Sequence, residues 1–130
     1  MTIELKLKKN AKKIDRFLLK FLKKQKKSLL IAPMKYGVIS GGKKIRSTII
    51  FDTGKMLKVE EKKLLSVCTA VECIHSYSLI HDDLPCMDND LIRRGKPSTH
   101  KKFGEATAVL AGNSLLTLSL IHISEPTRHR

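Results

Sequence analysis

The chain has 130 residues, enough for one small domain, and 42% of them are apolar, so a hydrophobic core is possible. The formal charge is +14. No run of eighteen apolar residues occurs, which argues against a transmembrane helix. The N-terminus lacks the apolar region of a signal peptide, which argues against a secreted protein. The three cysteines form no CxxC pair, which favours reduced thiols in a cytoplasmic protein.

The first segment is predicted to be a basic amphipathic helix. One apolar stripe follows the spacing i, i+3, i+4, i+7 and i+8: Ile14, Phe17, Leu18, Phe21 and Leu22. Residues 1–27 carry eleven Lys or Arg against two carboxylates. Nucleic acid or an anionic membrane could bind such a face, but a solvated outer face of a packed helix is the more common case, and we expect it here.

A loop region and a second helix follow. Residues 28–36 form a mixed stretch that is broken by Pro33. Three glycines then mark a loop: Gly37, Gly41 and Gly42. From Ile45 onward a helix is expected, with Ile45, Ile49 and Met56 on one side.

The remaining pattern predicts two longer helices separated by a polar loop. One helix should run from about Glu60 to His81, and Pro85 must interrupt it. A helical period links Leu64, Cys68, Val71, Ile74 and Ser78. Residues 84–102 are expected to form a loop, and the last helix should start near Phe103. No useful β-alternation appears, so we predict an all-α fold.

The end of the chain differs in character from what precedes it. After Leu118 the apolar helix pattern gives way to SLIHISEPTRHR, which resembles translated sequencing adapter. We therefore assign residues 1–118 to one domain and expect residues 119–130 to be a non-native tail. The alternative is an ordinary frayed terminus.

A carboxylate cluster gives the strongest chemical signal. Four acids lie within nine residues of the stretch HDDLPCMDND: Asp82, Asp83, Asp88 and Asp90. Their mutual repulsion is relieved when a cation binds. Oxygen ligands suit Mg²⁺, which takes one or two carboxylates together with substrate phosphates. The motif therefore predicts a diphosphate-metal site, with a solvated acidic turn as the alternative.

Basic residues flank this cluster on both sides. Arg93 and Arg94 follow it directly. Upstream, GGKKIR is a glycine turn that opens a helix, where backbone N–H groups favour an anion and where Lys43 and Arg46 share a face. His75 lies seven residues before the first aspartate, about two turns back on the same face. Together these cations predict a site for a diphosphate.

In their order, GGKKIR, VECIHSYSLIHDDLPCMDND and RRGKPSTHKKFGEATAVLAGNSLLTL resemble the trans-prenyltransferases, the polyprenyl diphosphate synthase family, and within it the bacterial farnesyl diphosphate synthase branch. The likeness covers roughly Gly41 to Leu118. It implies the N-terminal part of an all-α isoprenoid synthase bundle, truncated before the family's second aspartate-rich motif. The fragment alone is expected to be inactive, and the full-length protein is expected to be a homodimeric enzyme.

The resemblance also implies roles for individual residues. Asp82 and Asp88 would hold Mg²⁺ against an allylic diphosphate, with Asp83 in support, and Arg93 would contact that diphosphate. Isopentenyl diphosphate would be bound by four residues: Lys43, Arg46, His75 and Arg94. The implied reaction is head-to-tail prenyl transfer, in which dimethylallyl or geranyl diphosphate is the donor and isopentenyl diphosphate the acceptor.

Product length in this family depends on the residues four and five before the first aspartate, here Ser78 and Tyr77. The ring of Tyr77 favours a fifteen-carbon product, farnesyl diphosphate, with geranylgeranyl diphosphate as the alternative. The chain departs from the family pattern at Ser47, where a proline is usual, and at Leu91 and Asn113, where an aspartate is common.

Two functions from other classes are weaker alternatives. A basic nucleic-acid or membrane-surface protein accounts for the charge but not for the carboxylates, which would repel phosphate backbones, and few aromatics are available for base stacking. A non-catalytic partner subunit would be expected to have lost the acidic motif. We therefore expect no nucleic-acid partner and no stable membrane insertion.

Overall fold

A computed structural model describes residues 2–39 and 41–128, with side chains as far as residue 121. In chain order its elements are α1 (Ile3–Lys23), α2 (Ile31–Val38), α3 (Ile45–Met56), α4 (Glu61–Asp82), β1 (Ile92–Arg93), β2 (Lys96–Pro97), α5 (Thr99–Phe103) and α6 (Glu105–Arg128). The predicted all-α class is confirmed, with one two-stranded hairpin added. No helix in the described part of the chain has the length and apolar character needed to cross a bilayer.

The predicted apolar stripe of α1 is the face that packs on the domain. Ile14, Leu18 and Leu22 are buried, and Lys or Arg occupies most of the opposite side. The side chain of Thr2 caps the helix and accepts a hydrogen bond from the backbone N–H of Leu5 at 3.3 Å. This cap satisfies one of the N–H groups that the first turn leaves without a helical partner.

The interpretation of residues 28–36 as a stretch broken by proline is wrong, because α2 begins at Ile31 and continues through Pro33. Pro33 is the third residue of that helix, in the first turn, where a missing N–H removes no helical hydrogen bond. The proline is fully buried, and Met34 and Val38 join it in the core. Pro33 therefore lies in the first turn of a short helix that packs on the core.

Helix α3 starts at Ile45 as predicted, but its apolar side faces outward. Ile45, Ile49 and Met56 are all exposed, Met56 at 82%. The inward-facing residues are Ser47, Thr48, Phe51 and Gly54. A Cβ on Gly54 would collide with the side chain of Leu64, so the missing side chain lets α3 approach α4 closely. The buried face of α3 is therefore decided by the close approach of this helix to α4, which the periodicity of apolar residues does not reveal.

Helices α4 and α6 form the centre of the fold and make the most extensive contact between two elements. The predicted period of α4 is only partly correct: Leu64 and Cys68 are buried, but Ile74 is 38% exposed. The ring of His81 lies against α6, with Nε2 3.0 Å from the carbonyl oxygen of Val109. The buried face of α4 therefore includes polar positions that an apolar stripe does not identify.

The segment predicted as one loop, residues 84–102, contains the hairpin and most of α5. Strands β1 and β2 are antiparallel and are joined by Arg94 and Gly95, which have φ values of 53° and 75°. Two successive positive φ angles are typical of the two-residue type I′ turn, whose twist matches that of the flanking strands. The turn fixes the position of Arg94 relative to Arg93.

The proposed tail begins within α6, which continues to Arg128. Residues 129 and 130, and the side chains from residue 122 onward, lie outside the described residues. The assignment of 119–130 to a non-native tail therefore stays a prediction.

Substitution of Gly112 tests the close contact between α4 and α6. A Cβ there would collide with the ring of His81, so Gly112→Ala should lower the free energy of unfolding by about 1–3 kcal/mol in urea denaturation followed by circular dichroism. Helix propensity alone predicts the opposite sign, a gain of about 1 kcal/mol. The exposed neighbour Asn113→Ala is the control and should be neutral or slightly stabilising. A stabilised Gly112→Ala variant would contradict the contact.

Candidate functional site

The acidic motif forms a closed loop at the end of α4. Asp82 is the last residue of that helix, and its carbonyl oxygen accepts a hydrogen bond from the N–H of Asp88 at 2.8 Å. The carbonyl of Leu84 accepts two more, from Met87 and Asn89, each at 2.9 Å. These bonds hold Asp82 and Asp88 at the two ends of one short loop, and both residues are exposed.

Asp83 lies in a different environment from its neighbours. It is 2% exposed and accepts two hydrogen bonds from Arg93, 2.7 Å from Nε to Oδ2 and 2.8 Å from Nη2 to Oδ1. The hydrogen bond with Asp83 raises the pKa of Arg93, and the charges of Asp83, Asp90 and Asp82 raise it further. A bidentate pair of this kind is directional as well as strong, so it holds the β1–β2 hairpin against the end of α4.

The carboxylates of Asp82 and Asp88 fit a hard cation. Neither forms a hydrogen bond or an ion pair within the described residues, so their oxygens are available as ligands. No group of three acidic, His or Cys residues converges into a cage in that part of the chain. Mg²⁺ does not need such a cage, because it keeps several waters and completes its shell with substrate phosphates.

A single recess of about 170 Å³ is lined by the three cationic residues and the histidine that are predicted to bind one diphosphate. Its lining includes Lys43, Arg46, His75 and Arg94. These residues come from three elements: the start of α3 with the loop before it, the middle of α4, and the hairpin turn. The structure therefore brings together residues that are up to 51 positions apart in the sequence.

The geometry of this recess favours an anion. The guanidinium of Arg94 lies over Gly42, where a Cβ would be 2.7 Å from Nη1, so a larger residue would force the guanidinium to shift. Arg46 Nη1 is 3.5 Å from His75 Nε2. No side chain caps the N-terminus of α3, which leaves first-turn N–H groups at the recess. Fixed positive charge and free donors thus converge on one small volume.

His75 is neutral in this setting. Burial lowers its pKa below 6.5, and the charges of Arg46, Arg94 and Arg93 lower it further, while Glu72 opposes them. A neutral imidazole can accept from a guanidinium with one nitrogen and donate to a ligand with the other. Burial and the neighbouring cations therefore both favour the neutral form of His75.

Sequence reasoning missed a buried polar pair beside the recess. Glu72 is 5% exposed and lines the recess, and the hydroxyl of Ser47 donates to its Oε1 at 2.6 Å. The sequence does contain a signal for this pair, because Glu72 is a carboxylate within the apolar run AVECI, three residues before His75. Ser47 is also the position where the family usually has proline, which could not donate this bond.

The two residues assigned to product length make local contacts. Tyr77 is half-buried, and its ring meets the edge of His81 with centroids 5.0 Å apart. The hydroxyl of Ser78 donates to the carbonyl of His75 one turn earlier, at 2.7 Å. Tyr77 therefore lies on the side of α4 that carries the His81 contact with α6, and its effect on product length stays a prediction.

The cysteines are all unpaired, as predicted, but they differ in reactivity. Cys68 and Cys73 are buried, and burial raises their pKa values to about 11 and about 12. Cys86 is exposed on the loop between Asp82 and Asp88. At neutral pH the two buried thiols stay protonated and unreactive.

Comparison with known proteins supports the resemblance. Residues 27–129 match the family described as Polyprenyl synthetase. The chain is 57% identical over 93 residues to farnesyl diphosphate synthase of Buchnera aphidicola subsp. Acyrthosiphon pisum, covering 72% of this chain and 33% of that protein. It is 50% identical over 96 residues to the Escherichia coli farnesyl diphosphate synthase, covering 74% and 32%. Geranylgeranyl pyrophosphate synthase 4 of Arabidopsis thaliana is 48% identical over 92 residues, covering 71% and 25%.

Solved structures show the same fold. The geranyltranstransferase of Thermotoga maritima superimposes with a TM-score of 0.86 at 42% identity, covering 92% of this chain and 45% of that one. An FPP/GFPP synthase from Zymomonas mobilis gives 0.85 at 42%, covering 91% and 43%. The fold is thus part of the helical isoprenoid synthase bundle. The chain belongs to the polyprenyl synthetase family and spans about a third of the length of the curated relatives it matches.

The protonation of His75 tests the electrostatics of the recess. Its pKa, followed by NMR and assigned with a His75→Gln variant, should lie below 6.5 and rise when inorganic pyrophosphate binds, because the anion favours the imidazolium. The signal of His100, which is outside the recess, should not respond and serves as the control. The native state then binds this proton more weakly than the unfolded chain, so this group lowers stability as pH falls through about 6.5. A His75 pKa that pyrophosphate leaves unchanged would contradict the site.

Proposed function

We propose that the full-length protein containing this chain catalyses Mg²⁺-dependent head-to-tail condensation of isopentenyl diphosphate with dimethylallyl or geranyl diphosphate, giving farnesyl diphosphate. The observation that carries the proposal is that the acidic loop and the cationic recess are adjacent. Two consecutive arginines join them. Arg93 belongs to the acidic loop and Arg94 to the cationic recess. Two diphosphates in neighbouring sites are what a prenyl transfer needs, because reaction requires the two chains to be held in one orientation.

The recess is the proposed site for isopentenyl diphosphate. Lys43, Arg46 and Arg94 would hold the diphosphate with charge-assisted hydrogen bonds, and neutral His75 would donate one more. Glu72, which also lines the recess, accepts a hydrogen bond from the hydroxyl of Ser47. Such a site binds a diphosphate and leaves the isopentenyl tail free to reach the second substrate.

The acidic loop is the proposed site for the allylic diphosphate. Asp82 and Asp88 would hold Mg²⁺, which neutralises charge on the departing diphosphate when it is bound. Arg93 has two N–H groups committed to Asp83 and would present its remaining donors to the same diphosphate. Asp83 thus orients the arginine and takes no part as a ligand. Loss of diphosphate leaves an allylic cation, which the isopentenyl double bond attacks before a proton is lost, and water must be excluded meanwhile.

The product and the assembly belong to the same proposal. Farnesyl diphosphate is supported by the names of the Buchnera and Escherichia relatives and by the ring at Tyr77, whereas the Arabidopsis relative supports geranylgeranyl diphosphate as a second candidate. The family resemblance supports a cytoplasmic homodimer. Since the matched segment covers only 33% of the Buchnera relative, we expect the 130-residue chain alone to be inactive.

Removal of either exposed carboxylate tests the metal assignment. In the full-length enzyme, Asp82→Ala or Asp88→Ala should lower kcat at least about a thousandfold, because several kcal/mol of charge stabilisation are lost. Glu60→Ala removes an exposed carboxylate at the start of α4 and is the matched control. Circular dichroism should show all three variants folded. Near-normal turnover of either aspartate variant in Mg²⁺ would refute the assignment.

Substrate-specific kinetics test the assignment of the recess. Lys43→Ala and Arg46→Ala should each raise KM for isopentenyl diphosphate about tenfold or more and change KM for the allylic substrate little, because a hydrogen bond from a charged group contributes about 1.5–3 kcal/mol. Lys62→Ala, an exposed lysine on α4, is the control. Steady-state rates are measured with each substrate varied in turn. An effect confined to the allylic substrate would mean that the two sites are exchanged.

Truncation of Tyr77 tests its role in product length. Tyr77→Ala should shift the product beyond fifteen carbons, because removing the ring opens space along α4, about 7–8 Å from Asp82. Because the ring is half-buried, its loss should cost less than the about 3 kcal/mol of a fully buried ring. Tyr77→Phe keeps the ring and should keep the product length. Chromatography of the dephosphorylated products measures the product length. An unchanged fifteen-carbon product would leave Tyr77 with a packing role only.

A further inference from the structure

The outer face of α1 carries a continuous row of cations that the proposed reaction does not use. Steps of three, four, four and three residues place five cations on one side of the helix: Lys9, Lys12, Arg16, Lys20 and Lys23. All five are exposed, and the row is about 21 Å long at 1.5 Å per residue. Like charges at this spacing repel one another, so the row costs stability unless an anion lies against it.

These five cations have no ion-pair partner within the described residues. Three carboxylates close to α1 pair with other lysines: Asp52 with Lys6 at 2.8 Å, Glu61 with Lys13 at 2.9 Å, and Asp15 with Lys44 at 3.0 Å. Glu4, in the first turn of α1, precedes the row and is not part of its face. The outer face therefore keeps its full positive charge, and the domain does not neutralise it.

Exposed apolar side chains accompany this row. Leu5 is 57% exposed in the first turns of α1, on the same side as the cations. Leu29, in the turn that follows α1 and six residues after the last cation of the row, is 93% exposed. Attraction to anionic lipids and burial of apolar side chains both strengthen binding at a bilayer surface.

We propose that the outer face of α1 is a docking surface for an anionic lipid bilayer. The row of five cations lies along the membrane surface, and Leu5, on the same side of α1, enters the headgroup region at its N-terminal end. Each cation near an anionic leaflet strengthens binding about fivefold, so five together produce reversible association. The packed face of α1 stays on the domain, so docking requires no unfolding.

A bilayer accounts for the features of this face better than a nucleic acid does. Phosphate backbones would engage the cations but leave the exposed leucines in water. Recognition of single-stranded nucleic acid commonly uses aromatic side chains on which bases stack, and the cation row contains none. Flat contact along one helix with an apolar N-terminal end is complementary to a lipid surface.

Vesicle sedimentation of the full-length protein tests the proposal. We expect it to bind vesicles that contain roughly one-third phosphatidylglycerol, to bind neutral phosphatidylcholine vesicles weakly, and to be released by high salt. The double variant Arg16→Gln/Lys20→Gln should weaken partitioning about 25-fold, because each lost charge costs about fivefold. Glutamine is a good helix former, so the fold should be kept.

The matched control is Lys62→Gln/Lys63→Gln, which removes the same charge from an exposed part of α4. It should reduce vesicle binding less than threefold if the α1 face is the docking surface, because only long-range charge is lost. Equal losses in the two double variants would overturn the proposal in favour of non-specific attraction. Absence of vesicle binding together with salt-sensitive binding to duplex DNA or RNA would also overturn it. Prenyl transfer measured in the same samples should be unchanged in both variants, which separates this test from that of the catalytic proposal.

Discussion

The ion pair between the buried Asp83 and the half-buried Arg93 holds the two halves of the candidate site together. Removing Arg93 would leave the buried carboxylate without compensation, which costs about 3 kcal/mol or more in a fully buried pair and less here. The pair also has a geometric role, since it ties a hairpin with two-residue strands to the end of a 22-residue helix. Such a hairpin has too few hydrogen bonds of its own to be rigid. Its position, and therefore the position of Arg94, depends on this pair together with the Tyr36 hydroxyl, which donates to the carbonyl of Pro97 at 2.6 Å.

The cationic recess follows from this attachment. The type I′ turn sends Arg94 away from the pair, and the missing side chain at Gly42 lets its guanidinium lie against the loop before α3. Positive charges that would repel one another are thus brought to a common recess, which the buried Glu72 also lines. If this recess binds an anion as proposed, having its cations close together beforehand reduces the entropy lost on binding.

The sequence predicted the parts of the site that rest on local order. The start of α3 and the end of α4 followed from local residue patterns, whereas the short helix α2 was missed. Lys43, Arg46, His75 and Arg94, which the sequence grouped, line one recess, and their binding role stays a prediction. What failed depends on contacts between elements. The buried side of α3 is decided by the fit of Gly54 against Leu64, and the bond from Ser47 to Glu72 joins residues 25 positions apart. No helical period encodes such pairings.

The unequal burial of the three cysteines has a practical consequence. Thiol reagents attack the thiolate, and the buried Cys68 and Cys73, with pKa values of about 11 and about 12, present almost none at neutral pH. Cys86 alone is exposed, between the two carboxylates at the ends of the acidic loop. A soluble alkylating agent or fluorophore will therefore label this chain at one position. The loop carries its own attachment point for a spectroscopic reporter, and no residue of the chain needs to be replaced to introduce one.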